Sequence, residues 1–100
     1  MTPRFVFRRA AREELLEARN WYDAQRLGLG EEFARSIDGA IGRIGVHPLA
    51  YPDVRRGVRR AVLLDFPYAI YYRPHADWIE LLAVFHHRRD PRVWQARAEV

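Results

Sequence analysis

Two histidines and two arginines follow one another in the segment VFHHRRD, as His86, His87, Arg88 and Arg89. A histidine side chain exchanges protons near neutral pH, and the planar guanidinium of arginine binds phosphates and carboxylates through paired hydrogen bonds. These residue types could therefore do acid–base chemistry on a phosphate or bind an acidic surface. Because the segment follows an apolar run, we expect the four side chains to leave the end of a strand.

More arginines surround the start of another apolar run, namely Arg55, Arg56, Arg59 and Arg60. Since the ends of strands in an antiparallel sheet can meet at one edge, we predict that these arginines converge with residues 86–89 into a basic rim. The alternative is a solvated strand end, with Arg88 or Arg89 paired to Asp65 or Asp90.

The composition limits the kinds of site. All seventeen basic residues are arginine and the formal net charge is +4, which favours an acidic partner, although codon bias toward arginine is an alternative reason. There is no cysteine, so thiol nucleophiles and zinc–thiolate sites are excluded. The four histidines lack the spacing of metal ligands. We therefore expect neither a metal nor a cofactor.

The length of 100 residues suits one domain that spans residues 1–100. No apolar run approaches the roughly 20 residues of a membrane span, and the first residues lack the apolar region of a secretory signal. We therefore expect a cytoplasmic protein with no membrane association.

The apolar pattern predicts the element order β, α, α, β, β, β. Residues 4–8 alternate as a strand does, and residues 10–26 have helical spacing. Glycines in residues 28–30 end this helix and start a second one, which must stop before Pro48. Adjacent glutamates in each helix, Glu13 with Glu14 and Glu31 with Glu32, are interpreted as solvated surface charge.

Three more strands are predicted at residues 60–65, 68–73 and 78–85. The expected fold is α+β, an antiparallel sheet with an α-helical hairpin packed on one face. Alternation in the last strand places Ile79, Leu81, Ala83 and Phe85 on one face, and Trp78, Leu82 and Val84 on the other. Both faces are apolar, so the face without helices needs cover from the tail, a second subunit or a separate protein. We infer a binding partner.

A resemblance to a known family is carried by the order of the elements, by the segments WYDAQRLGLGEEF and HPLAYP, and by the ending FPYAIYY…IELLAVFHHRRDPRVW. With these features, the chain resembles the RelE/ParE superfamily of bacterial type II toxin–antitoxin systems, often called plasmid stabilisation proteins. The resemblance covers nearly the whole chain. It implies a growth-inhibiting toxin in a hetero-oligomer with a cognate antitoxin, whose flexible segment folds onto the toxin and covers its second apolar face. Operator DNA would be contacted only through the antitoxin.

The resemblance implies two possible targets. The RelE-like branch is an endoribonuclease that cleaves messenger RNA on the ribosome with basic groups and a tyrosine. Here that site would use Arg60, Tyr72, His86 and Arg88, with Tyr72 placed on the His86 side by strand alternation. The branch has its tyrosine near the C-terminus, where this chain has Trp94, whose indole cannot exchange a proton in this way.

The ParE-like branch inhibits DNA gyrase without cleavage chemistry, and the histidine–arginine ending is closer to this branch. We therefore predict DNA gyrase as the target, with ribosome and messenger RNA as the alternative. The predicted target-binding residues are Arg59, Arg60, His86, Arg88 and Arg89. An inactive family member and a nucleic-acid-binding module are further alternatives, although no helix carries evident base-reading side chains.

Overall fold

The computed structural model describes residues 3–99 of the chain. The elements in this range are β1 (Arg4–Phe7), α1 (Arg9–Gln25), α2 (Leu29–Val46), β2 (Asp53–Arg55), β3 (Val58–Val62), β4 (Tyr68–Pro74), β5 (Trp78–His86) and α3 (Arg92–Ala98). The predicted α+β class is confirmed, as is the order of a strand, two helices and then strands. The short strand β2 and the helix α3 were not predicted as separate elements.

The helices α1 and α2 form the predicted hairpin. Gly28 joins them with a φ of 90°, a left-handed conformation that glycine adopts without steric cost. Gly30 lies so close to α1 that a β-carbon there would be 2.4 Å from the carbonyl oxygen of Arg19. Its N–H donates a hydrogen bond to Oδ1 of Asp23 at 2.7 Å, so the start of α2 is tied to the end of α1.

The five strands form one sheet in the order β1-β5-β4-β3-β2. The strands from β2 to β5 pair in an antiparallel manner, as predicted. β1 differs, because it runs parallel to β5, with Arg4 opposite Trp78 and Phe7 opposite Leu81. The sheet is therefore mixed rather than purely antiparallel. Parallel neighbours need a long crossover, and the helical hairpin with the strands that follow it supplies one.

The helical hairpin covers one face of the sheet. Phe33, Ile37 and Ile44 of α2 are buried there, as the apolar stripe of this helix predicts. They pack with Tyr72 of β4 and Leu81 of β5. This cluster is the larger of the two cores and fixes β4 and β5 against the helices.

A β-bulge in β5 exchanges its two faces. Tyr72 lies opposite Leu81, but Tyr71 lies opposite Ala83, so Leu82 is an extra residue in the strand. The predicted alternation is therefore wrong beyond Leu81. The side chains that reach the second face are Leu82, Ala83 and Phe85, whereas Val84 packs on the helical face.

The second face is covered by α3. Trp94 is only 4% exposed, and its ring stacks on Tyr71 with centroids 4.1 Å apart. Ala98 is buried in the same cluster. Of the three covers considered from the sequence, the tail is the one that the fold uses. The apolar side chains of this face therefore need no separate protein to bury them.

Within residues 3–99, none of the helices combines the length and the apolarity that crossing a membrane requires.

Candidate target-facing surface

A tight turn at the end of β5 comprises His86–Arg89, and we call it the β5 tip. The carbonyl oxygen of His86 accepts a hydrogen bond from the Arg89 N–H at 3.1 Å. The ring Nδ1 of His86 accepts another from the Arg88 N–H at 3.0 Å. The His87 N–H donates to the carbonyl oxygen of Pro67 at 2.9 Å, which joins the turn to the start of β4. The turn is thus fixed, and the side chains of His87, Arg88 and Arg89 are exposed, as predicted for a strand end.

A carboxylate from α1 reaches the β5 tip. Glu14 accepts a hydrogen bond from the guanidinium of Arg89 and two from that of Arg97, at 2.9 and 2.8 Å. It also accepts the backbone N–H of Val84 at 3.1 Å. The Arg89 guanidinium lies over the ring of Phe85, 4.7 Å from its centroid. The tip is therefore connected to both α1 and α3.

The interpretation of Glu14 as solvated surface charge is wrong. Its side chain is 10% exposed and lies against β5. Glu14 follows the buried Ala11 by three residues and precedes the buried Ala18 by four, which places it on the helix face toward the sheet. The spacing of Glu14 from Ala11 and Ala18 could have indicated its position in the sequence. The charge of Glu14 and of its neighbour Glu13 led instead to the surface interpretation.

A groove of about 420 Å³ lies between α1 and the β5 tip. Glu13, Glu17 and the largely exposed Trp21 line its α1 side, and Tyr68 and His86 line its sheet side. The rings of Tyr68 and His86 meet edge to face, with centroids 5.0 Å apart. Burial raises the pKa of Tyr68 above its ordinary value, so its phenol stays neutral. The groove thus combines an acidic helix wall with the cations of the tip.

The two halves of the predicted basic rim lie at different levels of the sheet. His86 is opposite Tyr68, whereas Arg59 is opposite Tyr72. Tyr68 and Tyr72 are four residues apart on β4, which corresponds to roughly 13 Å. Because β3 and β5 are both antiparallel to β4, they run in the same direction, and the start of β3 cannot lie beside the end of β5. The predicted convergence is therefore wrong.

Arg59 and Arg60 lie in different surroundings. The Nη1 of Arg59 donates to the carbonyl oxygens of Leu49 and Tyr51, at 3.2 and 2.5 Å, and so binds the connector between α2 and β2. Arg60 is exposed and lies opposite Tyr71, on the face that α3 covers. Neither residue belongs to the β5 tip.

Arg55 and Arg56 pair with the end of α3. Their guanidinium groups lie 2.7 and 2.9 Å from the carboxylate oxygens of Glu99. The hydrogen bond from Arg55 lowers the pKa of Glu99. These two arginines therefore hold the C-terminal helix and are not part of a surface shared with His86.

Tyr72 lies on the same face as His86, as predicted, but it is fully buried. Its hydroxyl donates to the carbonyl oxygen of Pro48 at 2.6 Å, and burial raises its pKa to about 12. The predicted ribonuclease set of Arg60, Tyr72, His86 and Arg88 is therefore not brought together. In the part of the chain that the structure describes, no three histidine or carboxylate side chains are grouped so that they could hold a metal ion.

The class of protein follows from comparison with known sequences. A family model described as "ParE toxin of type II toxin-antitoxin system, parDE" matches residues 5–91. The chain belongs to the ParE toxin family. The RelE/ParE resemblance seen in the sequence is thereby confirmed. None of the curated proteins compared with the chain matches it significantly.

Among solved structures, the chain is similar to one titled "Chromosomal ParDE TA system from P. aeruginosa". The TM-score is 0.62 and the sequence identity 15%, over 85% of this chain and 96% of that chain. At this identity, the similarity shows the fold alone. It agrees with the helical hairpin and sheet described above.

Proposed function

We propose that the protein is a toxin that inhibits DNA gyrase through the β5 tip. The observation that carries the proposal is the exposed cationic turn in a chain of the ParE toxin family, where Arg88 and Arg89 project from a backbone fixed by hydrogen bonds. An inhibitor of this kind needs a binding surface and no proton transfer. Arginine suits such a surface because its planar fork binds carboxylates of a partner protein.

The proposed target-binding residues are His86, Arg88 and Arg89. Arg59 binds the connector before β2, and Arg60 lies on another part of the sheet. These two arginines, which the sequence grouped with the tip, are therefore left outside the proposed surface.

Cleavage of messenger RNA is less well supported. It requires a proton acceptor, a proton donor and a cation around one phosphate. The side chain of Tyr72 is buried, and its hydroxyl donates a hydrogen bond to the carbonyl oxygen of Pro48. Tyr72 is also four residues along β4 from Tyr68, the residue opposite His86. This geometry favours a binding surface over a ribonuclease site.

We also propose that a cognate antitoxin neutralises the protein. Membership of a toxin family from type II toxin–antitoxin systems supports this partner, and the similar P. aeruginosa structure is titled as a ParDE system. The proposed assembly is a cytoplasmic hetero-oligomer that contacts operator DNA through the antitoxin.

The test is a DNA gyrase supercoiling assay with purified protein. Wild-type protein should inhibit supercoiling, and the antitoxin should restore it. Arg88→Glu should raise the half-inhibitory concentration by about tenfold or more, because a reversed charge at a contact repels the partner. Arg12→Glu is the matched control, since Arg12 is exposed and lies on the side of α1 opposite Glu14.

Arg60→Glu separates the β5 tip from the rim predicted by the sequence. It should leave inhibition at the wild-type level. An equal loss from Arg60→Glu and Arg88→Glu would contradict the placement of the surface at the tip. Folded wild-type protein that leaves supercoiling unchanged would contradict gyrase as the target.

A further inference from the structure

The outer edge of β5 is only partly covered by a strand. β1 pairs with β5 only as far as Leu81, although β5 continues to the tip. Beyond that point, the Val84 N–H donates to Glu14 Oε1 at 3.1 Å, and the Leu82 carbonyl oxygen accepts from Arg97 Nη1 at 3.0 Å. Side chains from α1 and α3 thus take the place of a neighbouring strand.

The carboxylate of Glu14 binds two arginines in different surroundings. The side chain of Arg97 is 18% exposed and also binds the backbone of β5, so its role is to hold α3 in place. The side chain of Arg89 is 44% exposed and belongs to the β5 tip. Of the two, Arg89 is therefore the one that can meet a partner while it is bound to Glu14.

One edge of the Arg89 guanidinium stays available. Glu14 binds Nη1, and the guanidinium carbon lies over the ring of Phe85, 4.7 Å from its centroid. Nε and Nη2 have no hydrogen-bond partner among residues 3–99. Elsewhere in the chain this same edge binds a carboxylate, since Nε and Nη2 of Arg55 lie 3.0 and 2.7 Å from Oε1 of Glu99.

We infer that Glu14 is a positioning residue, which holds Arg89 so that its free Nε and Nη2 edge binds a carboxylate on the target protein. This inference rests on the proposed function, because it specifies how the β5 tip contacts its target. A guanidinium that is held by a carboxylate and a ring loses less conformational entropy when it binds a partner. Arg88 is exposed and has no ion pair among residues 3–99, so its side chain would lose more. Because one carboxylate is shared between two guanidinium groups, the cluster keeps a net positive charge.

The charges around Arg89 favour a protein carboxylate over a nucleic acid backbone. Glu13 and Glu17 line the groove beside it, together with Glu14. Such a wall repels a row of phosphates, whose binding depends on neutralisation by many cations. A single carboxylate needs only one guanidinium edge, such as the free edge of Arg89.

Side-chain NMR tests the positioning without gyrase. In the wild type, the heteronuclear NOE of the Arg89 Nε–H should be high and that of Arg88 low. Glu14→Gln keeps the size of the side chain but removes its charge, and it should lower the Arg89 value to that of Arg88. Glu13→Gln is the matched control and should change neither value. An Arg89 Nε–H as mobile as that of Arg88 in the wild type would overturn the inference.

The supercoiling assay tests whether Glu14 acts through Arg89. Glu14→Gln should raise the half-inhibitory concentration roughly fivefold and Arg89→Ala roughly tenfold, and the double variant should resemble Arg89→Ala alone, because coupled residues are not additive. Arg97→Ala removes the other partner of Glu14. It should lower the Tm of the folded protein but leave inhibition within about twofold, the scatter expected for an independent site.

Three results would overturn parts of this assignment. Additive losses in the double variant, or a loss in Arg97→Ala equal to that in Glu14→Gln, would show that Glu14 acts through the fold. Binding of a duplex DNA oligonucleotide that depends on Arg89, measured by fluorescence anisotropy, would overturn the carboxylate as ligand. Wild-type protein that does not inhibit gyrase contradicts the proposed function instead. In that case the NMR result alone decides whether Glu14 holds the side chain of Arg89.

Discussion

The hydroxyl of Tyr72 donates a hydrogen bond to the carbonyl oxygen of Pro48 at 2.6 Å, which ties β4 to the connector that follows α2. Arg59 binds the same connector at the carbonyl oxygens of Leu49 and Tyr51. Tyr72 and Arg59 were both candidates for roles in a site. In the fold, they fix the path of the chain between α2 and β2.

Tyr72→Phe should therefore affect stability and not inhibition. We expect the free energy of unfolding to fall by roughly 1–3 kcal/mol, because the Pro48 carbonyl oxygen loses its donor. Urea unfolding measures this change, and the supercoiling assay measures inhibition below the Tm of the variant. Tyr51→Phe is the control, since the Tyr51 ring packs on Tyr72 but its hydroxyl has no hydrogen-bond partner among residues 3–99. Lost inhibition by folded Tyr72→Phe would contradict a purely structural role.

Alkaline pH should destabilise the protein through Tyr72. Burial raises the pKa of this tyrosine from 10.0 to about 12, so the unfolded chain loses the proton first. The stabilising contribution is complete below pH 10 and is lost as the pH rises toward 12, with a slope of at most about 1.4 kcal/mol per pH unit. Burial raises the pKa of Tyr22 and Tyr68 too, which adds to the same trend.

Urea unfolding between pH 9 and pH 11, a range set by the pKa of Tyr72, measures this dependence. Tyr72→Phe should reduce the slope but not abolish it, since the other two tyrosines remain. Identical slopes for the two proteins would show that Tyr72 does not titrate differently on folding.

Replacement of two glycines of α2 by alanine should change the stability of the fold in opposite directions. Gly30→Ala places a β-carbon 2.4 Å from the backbone of Arg19, so the hairpin must move apart, at a cost of at least about 1–3 kcal/mol. Gly42 has open space around it, and Gly42→Ala should stabilise the helix by roughly 0.5–1 kcal/mol. Thermal unfolding of both variants measures the changes. A stabilising Gly30→Ala would disprove the close contact of the helices.

Trp94→Ala should uncover the second face of the sheet. The loss of its buried ring should cost about 3–5 kcal/mol and expose Tyr71 and Leu82 to a hydrophobic dye. Trp94→Phe keeps a ring against Tyr71 and should cost less. Val93→Ala, at the adjacent position with a 38% exposed side chain, is the control and should bind no extra dye. Unchanged stability in Trp94→Ala would mean that α3 does not cover the sheet in solution.

The helical hairpin of α1 and α2 and the last hairpin of the sheet could be predicted because local rules set them. Apolar spacing defines α1, and Gly28 joins it to α2 with a conformation that other residues avoid. The exposed position of His87, Arg88 and Arg89 also follows locally, because four polar residues end an apolar strand. The family resemblance depends on these same segments.

The arrangement of the sheet could not be predicted in the same way. The direction of β1 depends on pairing with β5, which is distant in sequence, and no local signal marks the extra residue Leu82. The common direction of β3 and β5 separates Arg59 from His86, and the bulge changes which side chains of β5 meet α3.

The contacts of Glu14 were missed for a related reason. Its partners Arg89 and Arg97 are at the other end of the chain, and a charged residue beside Glu13 has the appearance of helix surface. Only the three-dimensional packing of α1 on β5 brings the carboxylate to the tip.

The parallel pairing of β1 with β5 has a consequence for synthesis on the ribosome. In the described chain β1 is the first strand, and its only neighbour in the sheet is β5, which is the last. The helical hairpin depends on residues close in sequence and can form while translation continues. β1 has no partner during that time. The nascent chain therefore completes its sheet in a late step, when β5 has left the exit tunnel and can be flanked by β1 and β4 together.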